Sequence, residues 1–446
     1  MSEFVFKNYS FDKSSGEIRL VYQLDGISFT ETFIVPISGV NWSSVPDEDI
    51  ERALFSLHLI TGISYWKAKC PKKIVINSGT LTREQAHFWN TLYTKGLGQF
   101  FYQNDIDFRN LIHFPYESKG PNVSIPQFLN SSIPSPLVPL GGGKDSIVTA
   151  EKLKDAKVNF TTFAVGNAAP IAKTAEAIGA SHFTVERTID PELIALNDKS
   201  ETYNGHIPIS AIWSFLSVVI ALVHQKTDVI FSWEQSASSG NLGYLGETIN
   251  HQYSKSLEFE RSLQAYSSSF VTNRVRVFSL LRPFSELSIV KEFVKHPKYF
   301  SIFSSCNKNF RTNSSIPQFL NSSFWCGSCP KCAFVFTLLS AWLPHEAVVG
   351  ILGHDLFENK DLLQTFGELA GTIGTKPFEC VGEPDEVISA LELIYRRGDA
   401  NNTKIMQWYA SVVRPTVNDM DEVITRVLAP SGDNAVPEDY KTPLNL

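Results

Sequence analysis

Apolar and polar residues alternate in short runs over positions 4–35. A period of two predicts half-buried strands, and Asp25-Gly26 between two such runs is a hairpin turn signal. The chain therefore opens on an antiparallel β-meander. Helical period takes over at 47–61 and 82–103, where Thr82 and Gln85 have the spacing of a capping box. A Ser/Pro/Asn-rich stretch at 118–136 reads as a linker. Beyond it, strand patterns at 136–140, 159–165, 182–185, 228–233 and 276–281 alternate with helical patterns at 146–157, 171–178 and 208–225. That order predicts an α/β fold with a doubly wound parallel sheet. Helical periods at 333–342, 361–369, 385–396 and 419–428 follow, and the tail from Ala429 reads as loose.

The pattern divides the chain into an N-terminal α+β domain (1–117), a linker (118–136), a central domain (137–345) and a helical C-terminal region (346–446). At about 150 residues per domain, 446 residues suit this division. The longest apolar stretch, 207–223, holds Pro208 and three serines. It reads as a buried helix rather than a membrane span. The first residues have no basic and apolar leader pattern, so the expectation is a cytoplasmic protein without a membrane partner. One nonapeptide, Ser-Ile-Pro-Gln-Phe-Leu-Asn-Ser-Ser, occurs at 124–132 and again at 315–323. No other periodicity accompanies it, so the copies read as insertions in surface loops.

Composition narrows the function. An apolar fraction of 43% and a charged fraction of 19% exclude disordered and collagen-like classes. A formal charge of −7 argues against nucleic acid as a partner, because phosphate backbones need a basic face. Six cysteines are too few for a disulfide scaffold, yet four fall between Cys306 and Cys332.

Three patterns carry candidate chemistry. In the first, Gly141-Gly142-Gly143-Lys144-Asp145-Ser146 joins a predicted strand to a predicted helix. Glycines let backbone approach an anion, and the helix N-terminus aims N–H groups at it. Lys144 adds a cation, Asp145 a candidate Mg²⁺ ligand and Ser146 a hydroxyl. The pattern resembles the PP-loop of ATP pyrophosphatases, with Leu140 where that motif usually has serine. The resemblance implies ATP and Mg²⁺.

In the second, Cys306 precedes Cys326-x-x-Cys329-x-x-Cys332. Four thiolates suit a tetrahedral structural Zn²⁺. An iron–sulfur cluster is the alternative, as is a reactive Cys306 beside three metal-bound cysteines. With the second nonapeptide removed, the pattern resembles the zinc knuckle of the PP-loop enzymes that make the queuosine precursor nitrile.

The third is a set of polar runs at strand ends and in loops, where open α/β sheets bind ligands. Glu234 follows a strand and is a candidate Mg²⁺ or substrate contact. Arg282 follows another; it either grips a carboxylate or phosphate or pairs with Glu286 at the surface. Cys380 lies among charged neighbours in a turn, where a thiol can move a proton to or from carbon. The alternative is a small buried apolar cysteine.

Seven runs occur in order: GGGKDSIV, YNGHIPISAI, SASSGN, NHQYSKSLEFE, SLLRPFSEL, SSCN with WCGSCPKCAFVF, and KPFECVG. Together they resemble the MurL-type UDP-N-acetyl-α-D-muramoyl-L-alanyl-L-glutamate epimerases, with Trp233 where that family tends to have Asn. The resemblance implies ATP-dependent inversion of the terminal L-glutamate of UDP-MurNAc-L-Ala-L-Glu, with release of AMP and pyrophosphate. It makes 137–345 an ATP-binding catalytic domain. Cys380, His206 and His251 become candidates for proton transfer, and Lys255, Arg282 and Lys376 for substrate binding. A functional partnership with an L-glutamate-adding muramoyl ligase is also implied. Two other readings compete: a PP-loop ligase acting on a small deazaguanine-like acid, and a nucleotide-binding module without catalysis.

Overall fold

Strands β1 (Glu3–Asp12), β2 (Glu17–Leu24) and β3 (Ile27–Ile34) form the expected meander, with Phe4, Phe6, Ile18, Leu20, Tyr22, Leu24, Phe29 and Phe33 buried on the inward face beside one charged residue, Glu31. Asp25 and Gly26 both take positive φ in the tight turn between β2 and β3. β4 (Lys73–Ile76) adds to β1 in parallel and was not anticipated from its four residues. The five strands expected after position 134 are all present. They are β5 (Pro136–Pro139), β6 (Thr161–Val165), β7 (Ser181–Thr188), β8 (Asp228–Phe231) and, after a small hairpin of β9 (Leu242–Tyr244) and β10 (Glu247–Ile249), β11 (Arg276–Ser279). This computed structural model describes residues 2–117, 125, 134–197, 199–310 and 324–444. Apart from Ile125, both copies of the nonapeptide lie outside the described residues, as does most of the expected linker.

The meander and the parallel strands share one nine-stranded sheet, in the order β11-β8-β5-β6-β7-β3-β2-β1-β4. The join is an antiparallel pairing of β3 with the end of β7. A buried ion pair, Arg187 Nε to Glu31 Oε1 at 2.6 Å, seals it, and Tyr65 donates to the other Glu31 oxygen at 2.8 Å. Neighbours β11, β8, β5, β6 and β7 are all parallel. Chain order reverses between β5 and β8. At such a reversal the outgoing connections diverge and leave a crevice at the carboxyl edge of the sheet.

Both faces of the central parallel strands are covered, because successive residues of β5, β6, β8 and β11 enter different cores. Leu137, Val229, Phe231 and Val277 join the core that holds helices Asp47–Thr61, Arg83–Gly96 and Ile209–Val223. Val138, Ile230 and Phe278 join the core that holds helices Lys144–Asp155, Glu286–Phe293, Pro330–Ser340 and Pro384–Arg397. Helix Ile209–Val223 is buried along nearly its whole length. Its Ser214 and Ser217 hydroxyls donate to the carbonyls of Ser210 and Trp213 at 2.7 and 2.6 Å. Among the described residues, no helix is long and apolar enough to cross a membrane. The capping box forms as expected, with Gln85 N to Thr82 Oγ1 at 3.2 Å and Thr82 N to Gln85 Oε1 at 3.0 Å.

The tail is not loose. Helix Glu438–Leu444 docks beneath the sheet, where Tyr440 donates to Asp228 Oδ2 at 3.0 Å. Arg276 bridges Asp228 at 2.6 Å and Asp439 at 2.9 Å. The anchoring residues lie about 160 to 210 positions from their partners, so no local pattern reports them.

His58 sits fully buried in the first core, with Nε2 3.1 Å from the Val21 carbonyl and Nδ1 3.2 Å from Ser78 Oγ. Burial pushes its pKa down to about 4. The unfolded chain takes up a proton near pH 6.5 that the folded chain refuses until about 4. His58 therefore contributes full stability above pH 6.5, lost progressively toward pH 4; at about 1.4 kcal/mol per pH unit, about 3 kcal/mol is at stake. The melting temperature is expected to fall as pH is lowered across this window, and to fall less steeply in His58→Gln. Parallel slopes in a pH series of thermal melts would remove His58 from the account.

Candidate functional site

The glycine turn leaves β5 at the point where chain order reverses. Leu140 continues the ladder through its N–H to the Phe163 carbonyl at 2.8 Å, and its side chain is core. Gly142 takes φ +73°, and a Cβ there would lie 3.1 Å from the backbone of Pro170 and Ile171. Glycine alone satisfies both conditions. A Cβ on Gly141 would meet nothing within 4 Å, so backbone is open to approach there. Helix Lys144–Asp155 starts at Gly143 with no side-chain cap. That uncapped N-terminus lies at the carboxyl edge of the sheet, where its free N–H groups can receive an anion. A cavity of about 470 Å³ lined by Asn167, Ile171, His182 and Thr184 adjoins the turn through Ile171.

The side chains of the motif are placed differently from the sequence expectation. Ser146 donates to the Gly143 carbonyl at 3.1 Å. Lys144 is 0% exposed and is not free to reach into the turn. Its ammonium lies between Asp145, at 2.5 Å, and Glu286. Burial opposes the Lys144 charge, but Asp145 and Glu286 outweigh it and hold the pKa above the usual range.

Glu286 is the centre of a charge network. Lys331 approaches its other oxygen at 3.6 Å. Burial works against the Glu286 carboxylate, but Lys144 and Lys331 hold it ionised, with its pKa lowered. The negative charge is then felt by two buried carboxyls nearby. Burial first and Glu286 second raise the pKa of Glu234, and push that of Glu386 up to about 7. Glu234 lies just beyond the carboxyl end of β8, as the strand pattern predicts.

Cys380, His206, His251 and Lys255 come together. Cys380 Sγ lies 3.5 Å from Lys255 Nζ and 3.7 Å from His251 Nε2. His251 Nδ1 meets Gln99 Oε1 at 2.5 Å, and Asn241 Oδ1 accepts from the His251 backbone at 2.9 Å. A donating Nδ1–H leaves Nε2 as an acceptor toward the thiol. The His206 ring packs 4.5 Å from the His251 ring. Burial drives both histidines neutral; Lys255 and Lys376 add to it for His251, whose pKa is pushed down to about 3. Burial opposes Lys255 as well, yet Cys380, Glu234 and Asp145 keep its pKa above the usual range.

Arg282 is placed apart from this pocket. It is 1% exposed and pairs with Glu260 at 2.9 Å, not with Glu286. Its other donors reach the carbonyls of Glu234 and Lys255 at 2.5 Å each. It positions the loops that carry Glu234 and Lys255. Lys376 Nζ is out of contact with solvent and has no hydrogen-bond partner among the described residues.

The four cysteines converge. One ligand atom each from Cys306, Cys326, Cys329 and Cys332 lies within 4.8 Å of every other. Four sulfurs at this separation can hold a metal ion, and an all-thiolate donor set suits zinc. Lys331 sits between two of these ligands in sequence, and its ammonium donates to the Cys380 carbonyl. The cluster thereby fixes a lysine against the Cys380 backbone. Lys331, Glu386 and Gln99 carry no signal in the local pattern, and Glu286, expected only as a surface partner of Arg282, is buried and pairs with Lys144 instead. Glu286 opens a helix just after β11, so the strand-end rule that found Glu234 could have found it.

Two family descriptions match: MurL N-terminal domain over residues 1–280 and MurL C-terminal domain over residues 302–423. Three relatives are each named UDP-N-acetyl-alpha-D-muramoyl-L-alanyl-L-glutamate epimerase. The protein of Xanthomonas oryzae pv. oryzae is 34% identical, covering 98% of this chain and 95% of its own. That of Micromonospora sp. is 35% identical over 99% and 97%, and that of Salinispora tropica 33% identical over 99% and 95%. No solved structure matches. Identity of this extent, spanning the glycine turn, the cysteine cluster and the Cys380 pocket alike, means that the chain belongs to the MurL family of UDP-N-acetyl-alpha-D-muramoyl-L-alanyl-L-glutamate epimerases.

Proposed function

We propose that this enzyme inverts the terminal L-glutamate of UDP-MurNAc-L-Ala-L-Glu to D-glutamate, consuming ATP and water and releasing AMP and pyrophosphate. The observation that carries the reading is the nearly full-length similarity to three proteins with that epimerase name. The pocket supports it chemically. A free α-carboxylate resists loss of the neighbouring α-proton, because the product would be a dianion. Transfer of AMP to that carboxylate, with pyrophosphate leaving, removes the charge and acidifies the α-carbon.

In this reading the glycine turn and the uncapped helix receive the phosphates of ATP, in the manner of a PP-loop. Glu234 and Asp145 would hold Mg²⁺, which offsets phosphate charge. Cys380 takes the α-proton as a thiolate, with the Lys255 ammonium beside the sulfur. His251, backed by His206, takes the thiol proton of Cys380 at Nε2 and delivers it to the α-carbon from the other face, which regenerates both groups. Water then cleaves the acyl adenylate. The four cysteines would hold a structural zinc. The substrate requires a ligase that attaches L-glutamate to the muramoyl-alanine precursor. The setting is the cytoplasm, where ATP is available and thiols stay reduced.

The test is pyrophosphate release from ATP with the purified protein. Release is expected to require UDP-MurNAc-L-Ala-L-Glu and to accompany formation of the D-glutamyl product. Release triggered by a carboxydeazaguanine instead would overturn the proposal, and so would no release with either. Gly142→Ala adds a Cβ at positive φ against backbone. It is expected to lower pyrophosphate release by about 10²-fold through misplacement of the phosphates.

A further inference from the structure

Four lysines surround the Cys380 pocket, and three have partners. Lys144 has Asp145 and Glu286, Lys255 has the Cys380 thiol, and Lys331 has Glu286 and the Cys380 carbonyl. Lys376 makes no hydrogen bond or ion pair among the described residues and feels Glu383, Glu386 and Glu234 only at longer range, although its Nζ is out of contact with solvent. The backbone that carries it is clamped, since Asn241 Nδ2 donates to the carbonyls of Lys376 and Pro377 at 3.2 and 2.9 Å. The same Asn241 holds His251. One side chain thus joins the Lys376 segment to the proton-transfer group.

An ammonium shielded from water and left unpaired is unfavourable, and an incoming anion relieves it. The bound substrate offers two carboxylates at its terminal glutamate. The α-carboxylate loses its charge on activation and must face the glycine turn. The side-chain carboxylate keeps its charge throughout, and its carbon lies about 4 Å from the α-carbon in an extended glutamate. With the α-proton presented to Cys380, that carboxylate needs a fixed cation close by. Lys376 lies four residues from Cys380, and its charge is felt by His251.

We propose that Lys376 receives the side-chain carboxylate of the substrate's terminal glutamate and so makes the enzyme selective for glutamate over glutamine at that position. This rests on the epimerase reading above. A site built to pair a charge rejects the neutral isostere, because the site's own charge is then left unpaired.

Titration calorimetry with UDP-MurNAc-L-Ala-L-Glu and its L-Gln analogue, on wild type, Lys376→Met and Lys376→Arg, tests it. Wild type is expected to favour the glutamate form by about 30-fold or more. Lys376→Met is expected to weaken the glutamate form to about the level of the glutamine form, and to leave the latter within about threefold of wild type. Lys376→Arg should keep part of the preference. An unchanged preference in Lys376→Met, or equal weakening of both ligands, overturns the assignment. Wild type that epimerises the dipeptide separates this failure from failure of the epimerase reading; wild type that neither binds nor epimerises it overturns both.

Discussion

Cys380→Ser is expected to reduce epimerisation of UDP-MurNAc-L-Ala-L-Glu by about 10³-fold or more, while pyrophosphate release stays within a few-fold of wild type. In the proposed mechanism the two half-reactions use different parts of the molecule. There, activation of the carboxylate is assigned to the glycine turn, and proton transfer to the pocket where Lys255 and His251 flank the thiol at 3.5 and 3.7 Å. Serine preserves shape and can keep the hydrogen bonds, but a hydroxyl does not ionise near neutral pH as a thiol does. The variant should therefore activate substrate, fail to invert it, and lose the uninverted acyl adenylate to water. The decisive readout is deuterium at the glutamate α-carbon after turnover in D₂O, followed by NMR. Exchange and inversion at the wild-type rate would show that Cys380 is not the base. His251→Asn tests the other side. If it retains exchange with Cys380 but loses inversion, the histidine supplies the second proton; full retention of inversion removes it from the mechanism.

The separation of these half-reactions explains which features were legible in the sequence. The glycine turn is contiguous, so residues 141–146 announced an anion site at once. Strands β5, β6, β8 and β11 of the parallel sheet were legible because each is a short apolar run between turns, and both of its faces enter a core. The cysteine cluster was legible from spacing alone. The Cys380 pocket was legible only through the family resemblance, which named Cys380, His206, His251 and Lys255 without their arrangement. Its thiol and its lysine partner are 125 residues apart, and its histidine 129. No local period encodes their meeting. The same holds for the β3–β7 join, where Glu31 and Arg187 are 156 residues apart. It holds for Arg282 as well, whose neighbour Glu286 in the chain suggested a partner that Glu260 supplies in space. Lys144 shows a different limit. The motif correctly puts it at a helix start, but motif spacing does not report that Glu286 takes up its charge.

Loss of the metal from the cysteine cluster is expected to disable the pocket as well as the clip. Protein purified without oxygen should carry about one zinc per chain, and Cys332→Ser should carry less and melt about 10 °C lower. Iron with labile sulfide and no zinc would overturn the zinc reading. The functional loss follows from Lys331, which the chain places between Cys329 and Cys332. From that position its ammonium reaches both Glu286 and the Cys380 carbonyl. Release of the clip would free this lysine. Glu286 would keep Lys144 alone, and the Cys380 segment would lose a tether. Epimerisation is therefore expected to fall by at least about 10²-fold in Cys332→Ser, since a displacement of about 1 Å at a reacting group costs that much. A loss of fold would produce the same fall, so Lys331→Met is the discriminating variant. It should retain the metal and nearly the wild-type melting temperature, yet lose activity by about 10-fold or more. Full activity in Lys331→Met would confine the cluster to holding residues 306 to 332 together. A selective loss would make the metal clip part of the apparatus that aims the thiol.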